Sequence, residues 1–311
     1  MRPESAVVEQ ADFNCRLCAG DDLALYYRQG AEGQFRYYRC TNCKLVNLDL
    51  KAGVDQTQYT DEWVDPTDDG ASRNRDNDAT YEFIRRRIAT PGRLLDLGCG
   101  HGRLLYRAKQ DGWEVKGVEL SAETAARVQA EIGVPVLAVN FLEMTPAQED
   151  LAHFDLVCLR HVLEHLPDSV LAMNKIREML APGGMVLLEM PNIEGIDTRL
   201  KRWMADAGLH RRKYARSFVA GHCNEFCRES FEYLAAETGF RVLGWETYSK
   251  KRLTNFLYNR IPIGNKARAL IQVTVSGHRG RSPGVILADS AQSSDRSTVG
   301  RGRIDLVGVS L

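Results

Sequence analysis

Arg93-Leu94-Leu95-Asp96-Leu97-Gly98-Cys99-Gly100-His101-Gly102 is the most informative segment of this chain. Arg93 to Leu97 reads as a short apolar strand, and Asp96 onward spells a D-x-G-x-G-x-G loop. His101 to Asp111 then reads as a helix stopped by Gly112. Glycines between a strand and a helix let the backbone approach a ligand closely, and the helix start offers N–H groups with no partner inside the helix. A dinucleotide loop carries a third glycine where this chain has Arg103, so G-x-G-x-x-G is not met. Asp96, just before the tight turn, would repel a pyrophosphate but suits a cationic or ammonium-bearing ligand.

Downstream, strands and helices alternate. Trp113 to Leu120 is a second strand, and Glu119 at its end lies where a carboxylate accepts both hydroxyls of a ribose. Ser121 caps a helix that runs to Glu131 and stops at Gly133. Val134 to Val139 is a third strand, followed by Asn140-Phe141, a polar group beside an aromatic that suits an adenine ring. Phe154 to Leu159, Met185 to Met190 and Phe240 to Tyr248 are further strands. Pro167-Asp168 opens a helix to Leu180, Arg228 to Thr238 is another, and Tyr81 to Ile88 precedes the first strand. Such alternation predicts an α/β fold with a doubly wound, mainly parallel sheet that binds ligands at the carboxyl ends of its strands.

Ahead of this region stand Cys15-Arg16-Leu17-Cys18 and Cys40-Thr41-Asn42-Cys43. Two C-x-x-C pairs suit one tetrahedral metal and read as zinc in an intracellular chain. Four thiolates leave no open coordination position, so the Zn2+ is expected to be structural. Tyr26, Tyr27, Phe35, Tyr37 and Tyr38 between the pairs suggest short strands. Cys99 and Cys158 fall in or beside apolar strands and read as small buried hydrophobes. The expected organisation is a tail over 1–12, a zinc module over 13–50, a linker over 51–78, a cofactor domain over 79–250 and a C-terminal extension over 251–311. Residues from 276 onward read as a disordered tail. The sheet edge is closed by residues 270–275, by Ile304 to Leu311, or not at all.

Asp96-Leu97-Gly98-Cys99-Gly100-His101-Gly102, Val118-Glu119, Phe154-Asp155-Leu156-Val157, His161-Val162-Leu163-Glu164-His165-Leu166-Pro167-Asp168 and Leu180-Ala181-Pro182-Gly183-Gly184 together resemble a class I S-adenosylmethionine-dependent methyltransferase. The resemblance implies a Rossmann-like domain over about 80–248. In it Asp96, Gly98 and Gly100 hold the methionyl part of S-adenosyl-L-methionine, Glu119 the ribose, and Asn140 and Phe141 the adenine. It also places Arg160 and His161 near the methyl-transfer centre. Residues 13–50 resemble the zinc-ribbon front of some sugar and small-molecule methyltransferases, which implies a small-molecule or glycan-type acceptor.

A histidine near the end of the fourth strand suits a general base. His161 is the first candidate and His222, in Gly221-His222-Cys223-Asn224-Glu225-Phe226, the second. His222, Glu225 and His165 are also considered as a metal set. His161-x-x-Glu164-His165 matches H-x-x-E-H of one zinc-peptidase class, but that chemistry needs a sustained helix, which Pro167 interrupts. Residues 191–227 read as a lid. Within it Arg199, Lys201, Arg202, Arg211, Arg212, Lys213 and Arg216 form either a solvated face or a site for an anionic acceptor. A zinc-ribbon adaptor without turnover and an NAD-dependent oxidoreductase are the alternatives. The net charge of zero gives no electrostatic case for nucleic acid. No signal peptide and no run of about 18 apolar residues is visible, so a cytoplasmic protein is expected.

Overall fold

The computed structural model describes residues 9–55, 63–206, 209, 218–248 and 264–274. It contains two sheets. The smaller is antiparallel and begins with β1 (Leu23–Gln29), β2 (Phe35–Cys40) and β3 (Val46–Leu48). The larger carries β4 (Arg93–Leu97), β5 (Glu114–Glu119), β6 (Val136–Ala138), β7 (Phe154–Arg160) and β8 (Leu180–Pro191), all parallel. Among the described residues six helices flank these strands: α1 (Ser72–Arg87), α2 (Arg103–Gln110), α3 (Ala122–Ile132), α4 (Ser169–Met179), α5 (Ile196–Asp206) and α6 (Arg228–Glu237). A two-residue strand β9 (Asn224–Glu225) pairs with β3 and so joins the small sheet. The large sheet is completed by β10 (Phe240–Tyr248) and β11 (Lys266–Val273), giving the order β10-β11-β8-β7-β4-β5-β6. β11 is antiparallel to both of its neighbours.

The period-two alternation of buried residues sorts the core onto both sheet faces. Leu95, Leu97, Val157, Leu159, Val186 and Leu188 pack with Met173, Ile176 and Phe231 of α4 and α6. Their sequence neighbours Leu94, Leu156, Cys158, Met185 and Leu187 pack with Ile84, Leu105 and Val128 of α1, α2 and α3. Cys158 is therefore a buried core residue, as its strand position predicted. The order reverses between β4, which leads on to β5 and β6, and β7, which leads on to β8; this switch opens a crevice at the carboxyl ends of β4, β5 and β7.

Local chemistry sets the element ends. Ser121 Oγ accepts from Thr124 N at 3.2 Å and Asp168 Oδ1 from Leu171 N at 2.8 Å, capping α3 and α4. α1 starts at Ser72, well before the predicted Tyr81. Its first turns are polar and show no apolar stripe, but Asn74 Nδ2 donates to the carbonyls of Asp65 and Asp68, both at 2.8 Å, and pins them. The third strand is shorter than predicted, Val136–Ala138 rather than Val134 to Val139. Residues 266–273 form a strand that starts further toward the N-terminus than the predicted 270–275, but it inserts between β8 and β10, and β10 is the edge. The strand considered at Ile304 to Leu311 and the tail from 276 lie outside the described residues.

The small sheet has its own core of Phe35, Tyr37, Val46 and Leu48, into which Ile193, Ala220 and Cys227 also pack. Arg16, inside the first cysteine pair, reaches furthest. Its Nε donates to Asn224 Oδ1 at 3.2 Å, its Nη1 to the Leu48 carbonyl at 2.9 Å, and its Nη2 to the Cys223 carbonyl.

Candidate active site

The glycine loop runs from β4 into α2 at the switch point. Gly98 has φ +73°, and a Cβ there would stand 2.5 Å from Val162 Cγ2. Gly100 has φ +52° with nothing within 4 Å of its Cβ position among the described residues. Only glycine takes both positions without strain. Arg103, where a dinucleotide loop has glycine, is fully buried instead. It forms a bidentate pair with Asp78, with two 2.8 Å contacts, and its Nη1 donates to the Pro66 carbonyl at 2.7 Å.

Asp96 is 2% exposed, and its Oδ1 has no hydrogen-bond partner among the described residues. Burial, together with Glu119 and Glu189, pushes its carboxyl up to about 7 against the pull of Arg160. A buried carboxylate oxygen without a donor calls for a cationic or N–H-bearing ligand. Glu119 accepts from Gly100 N at 2.9 Å and Ser121 N at 3.1 Å, which fixes its carboxylate at the end of β5. Asn140 sits in the turn after β6 and is engaged locally, its Oδ1 accepting from Leu142 N at 3.1 Å and its Nδ2 donating to Glu143 at 3.0 Å. Phe141 is buried in the core beside it.

Beyond the end of β7 lies a cavity of about 300 Å³, lined among others by Arg160, His161, Glu189, Tyr248 and Lys266. Arg160 Nε donates to Glu189 Oε2 at 3.0 Å. Glu189 is 2% exposed and also accepts from Arg268 Nε at 2.5 Å and Thr80 Oγ1 at 2.8 Å. Burial alone would raise its carboxyl, but Arg160 and Arg268 outweigh that and hold it at about 2. His161 takes φ +55°, a left-handed conformation rare for a non-glycine residue and typical of functional sites. Its Nδ1 is 3.4 Å from Glu164 Oε1 and its Nε2 is 2.9 Å from Lys266 Nζ.

His222 lies to one side, and is not among the residues that line this cavity. Its ring meets that of His165 edge-on at 4.7 Å, and its Nδ1 is 3.1 Å from Glu225 Oε1. Burial opposes charge on His222, yet Glu225 prevails and raises its pKa; burial lowers that of His165. Ligand atoms of Glu164, His165 and His222 all lie within 4.8 Å of one another, so Glu164 takes the place of Glu225 in the considered metal set. The peptidase reading fails on geometry, because Leu163–His165 is a single 3₁₀ turn and not a sustained helix. Of the predicted basic segment, Arg199, Lys201 and Arg202 lie on α5; Arg211, Arg212, Lys213 and Arg216 lie outside the described residues.

The Sγ atoms of Cys15, Cys18, Cys40 and Cys43 all lie within 4.8 Å of one another. Cys15–Cys43 and Cys18–Cys40 are each 3.5 Å apart, far beyond a disulfide bond and near the roughly 3.8 Å edge of a tetrahedron with 2.3 Å zinc–sulfur bonds. The donor set fits Zn2+.

Sequence reasoning missed Glu189, Arg268 and Lys266. A carboxylate inside the apolar strand Met185 to Met190 was a readable signal for the first. Lys266 and Arg268 sit in a strand whose pairing partners are distant in sequence, and no local pattern marked them.

A family model described as "Methyltransferase domain" matches residues 70–244. Among curated relatives, the ubiquinone biosynthesis O-methyltransferase of Nitrosospira multiformis is 28% identical over 151 residues, which is 47% of this chain and 63% of that protein. The protein of the same description from Leptothrix cholodnii is 26% identical over 206 residues, 60% of this chain and 84% of that one. The chain thus spans less than two thirds of the length of the Nitrosospira protein, and 55% of that of the counterpart in Nitrobacter winogradskyi. Among solved structures, an S-adenosylmethionine dependent methyltransferase from Mesorhizobium loti superposes with TM-score 0.47 at 18% identity, covering 66% of this chain and 99% of that one.

Proposed function

The chain belongs to the methyltransferase-domain family, and from that premise we propose that it transfers a methyl group from S-adenosyl-L-methionine to a hydroxyl of a small-molecule acceptor. The observation that carries the reading is Asp96, a buried carboxylate with one oxygen lacking a donor among the described residues, in the strand that leads into the Gly98–Gly100 turn at the topological switch point. Asp96, Gly98 and Gly100 would hold the methionyl part of the cofactor, Glu119 the ribose, and Asn140 and Phe141 the adenine end. The cofactor supplies an activated methyl group, so the protein's work is to position the acceptor and take its proton.

His161 is the proposed general base. Glu164, 1% exposed and carrying an oxygen without a donor among the described residues, faces its Nδ1 and fixes the ring orientation. Burial opposes the charge on Glu164, but His161, His165 and His222 outweigh it and lower its pKa, so it stays an anion. His222 would steady this group from the flank. The relatives are named O-methyltransferases, which favours an oxygen acceptor; a sugar or glycan hydroxyl is one such class, suggested by the N-terminal cysteine module. Cys15, Cys18, Cys40 and Cys43 would bind a structural Zn2+, with residues 13–50 as the module and residues 191–227 as the lid. The cytoplasm is the proposed compartment. Among the described residues no helix is long and apolar enough to cross a membrane.

Isothermal titration with S-adenosylmethionine tests the reading. Micromolar binding that Asp96→Ala weakens at least tenfold is expected; no binding at millimolar cofactor overturns it.

A further inference from the structure

Three consecutive carbonyls in the turn after β7 are held by two residues next to and within β9. Cys223 N donates to the Glu164 carbonyl at 2.8 Å, Cys223 Sγ to the His165 carbonyl at 3.4 Å, and Asn224 Nδ2 to the Leu166 carbonyl at 2.7 Å. The cysteine module holds the same two residues from the other side. Leu48 N and Arg16 Nη2 donate to the Cys223 carbonyl, and Arg16 Nε donates to Asn224 Oδ1. Behind Arg16 stands Asn47, which pairs with Asn224 across the β3–β9 ladder. Its Oδ1 accepts from Arg16 N at 3.1 Å, and its Nδ2 donates to Cys15 Sγ at 3.6 Å. A hydrogen-bonded line thus runs from one of the four thiols to the turn that backs His161.

We infer that Asn47 and Asn224 are positioning residues, through which metal at the four cysteines fixes the Glu164–Leu166 turn and, with it, His161. The role in catalysis rests on the methyl-transfer reading above; the coupling between metal and turn stands without it.

Buried polarity is the first support. Val46, Asn47, Leu48 and Asn224 are all 0% exposed. Adhesion alone asks only for apolar side chains there, and a buried amide costs stability unless it is bonded. Both asparagines are bonded through oxygen and through nitrogen, which specifies position as well as contact. Backbone strain is the second support. His161 has φ +55°, a conformation that persists only where the surroundings over-determine it. Its Nδ1 faces Glu164 Oε1 at 3.4 Å, Cys223 holds the Glu164 backbone, and His165 Nδ1 meets the Gly221 carbonyl at 2.8 Å. The restraint on the strained residue therefore reaches back to the module. The cofactor residues are held separately, Glu119 by Gly100 N and Ser121 N at the end of β5. Loss of metal should loosen the turn and spare cofactor binding.

The test compares the zinc-loaded full chain with the same chain stripped by a chelator. The amides of His165 and Cys223, bonded to the Val162 and Glu164 carbonyls, should exchange about 5–150-fold faster without zinc, the usual span of coupling between two sites. Returning zinc should restore slow exchange, while affinity for S-adenosylhomocysteine changes less than about fivefold throughout. Coupling is reciprocal, so Asn224→Leu, a change outside the thiol cluster, should weaken zinc binding about 5–150-fold by competition with a chromophoric chelator. Asn47→Leu should weaken it about 10–100-fold, as loss of an outer-shell partner does. Exchange at His165 and Cys223 that ignores zinc overturns the inference whether or not either variant folds. So does a chain that takes up no zinc, or unaltered zinc affinity in Asn224→Leu. Loss of S-adenosylhomocysteine binding along with zinc overturns it too, since the module would then support the whole fold. Failure of the zinc-loaded chain to bind S-adenosylhomocysteine strikes the methyl-transfer reading instead, and exchange and zinc affinity still decide the coupling.

Discussion

Replacing Arg16 by Met should loosen the joint between the cysteine module and the segment that carries His222. The side-chain volume is kept and three donors are lost, to Asn224 Oδ1, the Leu48 carbonyl and the Cys223 carbonyl. All three acceptor residues are 0% exposed. A buried acceptor left without its donor costs about 1–3 kcal/mol, so the gross loss is roughly 3–9 kcal/mol. Two effects reduce it. Burial already works against the guanidinium, pulling its pKa below the ordinary range, and removing that buried charge recovers part of its desolvation. Asn224 Nδ2 also still donates to the Leu166 carbonyl at 2.7 Å, and the backbone Arg16 N to Asn47 Oδ1 at 3.1 Å. A net loss of about 2–4 kcal/mol is expected by urea unfolding, with faster amide exchange over residues 221–226 and unchanged zinc content. A loss below about 0.5 kcal/mol with unaltered exchange would mean that water or a neighbouring donor satisfies those carbonyls and that Arg16 does not hold the joint.

Gly98→Ala should cost about 1–2 kcal/mol for its left-handed φ, plus a clash with Val162, and should weaken S-adenosylhomocysteine binding at least tenfold by titration calorimetry; adding Val162→Ala should relieve the clash and not the backbone term. Asp96, with its pKa raised to about 7, must lose a proton to meet a cationic ligand, so cofactor affinity should fall about tenfold per pH unit below 7 and binding should release a proton, read from calorimetry in buffers of different ionisation enthalpy. A flat affinity between pH 5.5 and 8 contradicts this. Glu189, held at about 2 in the folded chain and 4.5 in the unfolded one, contributes roughly 3 kcal/mol above pH 4.5 that should disappear as pH falls toward 2; Glu189→Gln should remove that part of the acid-unfolding profile. Cys15→Ser should lower bound zinc below one equivalent by metal analysis and lower the unfolding midpoint.

The parts written in local sequence were the most legible. The parallel strands β4, β7 and β8 announce themselves as largely apolar runs, β4 closed by Gly98 and β8 ending at Pro191, while β5 mixes charged and apolar residues. Asp96, Gly98 and Glu119 stand at strand ends, where position alone suggests a role. α1 was half hidden because Asn74 and Arg103 anchor its approach through side-chain contacts with backbone carbonyls and with Asp78, and leave no apolar period. The cavity wall was the least legible. Lys266 reaches His161 across 105 positions and Arg268 reaches Glu189 across 79, because β11 inserts antiparallel between β8 and β10. Single-sequence patterns record turns and periods, and they do not record which distant strands become neighbours.

The pairing of Asn47 with Asn224 gives the chain an order of assembly. β3 leaves the ribosome before its partner β9, which follows roughly 180 residues later. At about 5–20 residues per second that interval is roughly 9–36 s. Throughout it the small sheet has an open edge at β3, and Tyr37 and Val46 lack the cover that Ala220 and Cys227 later provide. Four close thiols stand in the same unfinished lobe. Metal captured by Cys15, Cys18, Cys40 and Cys43 in that window would keep β1 to β3 folded and the thiols out of disulfides until β9 arrives, so zinc supplied during translation would raise the yield of folded chain.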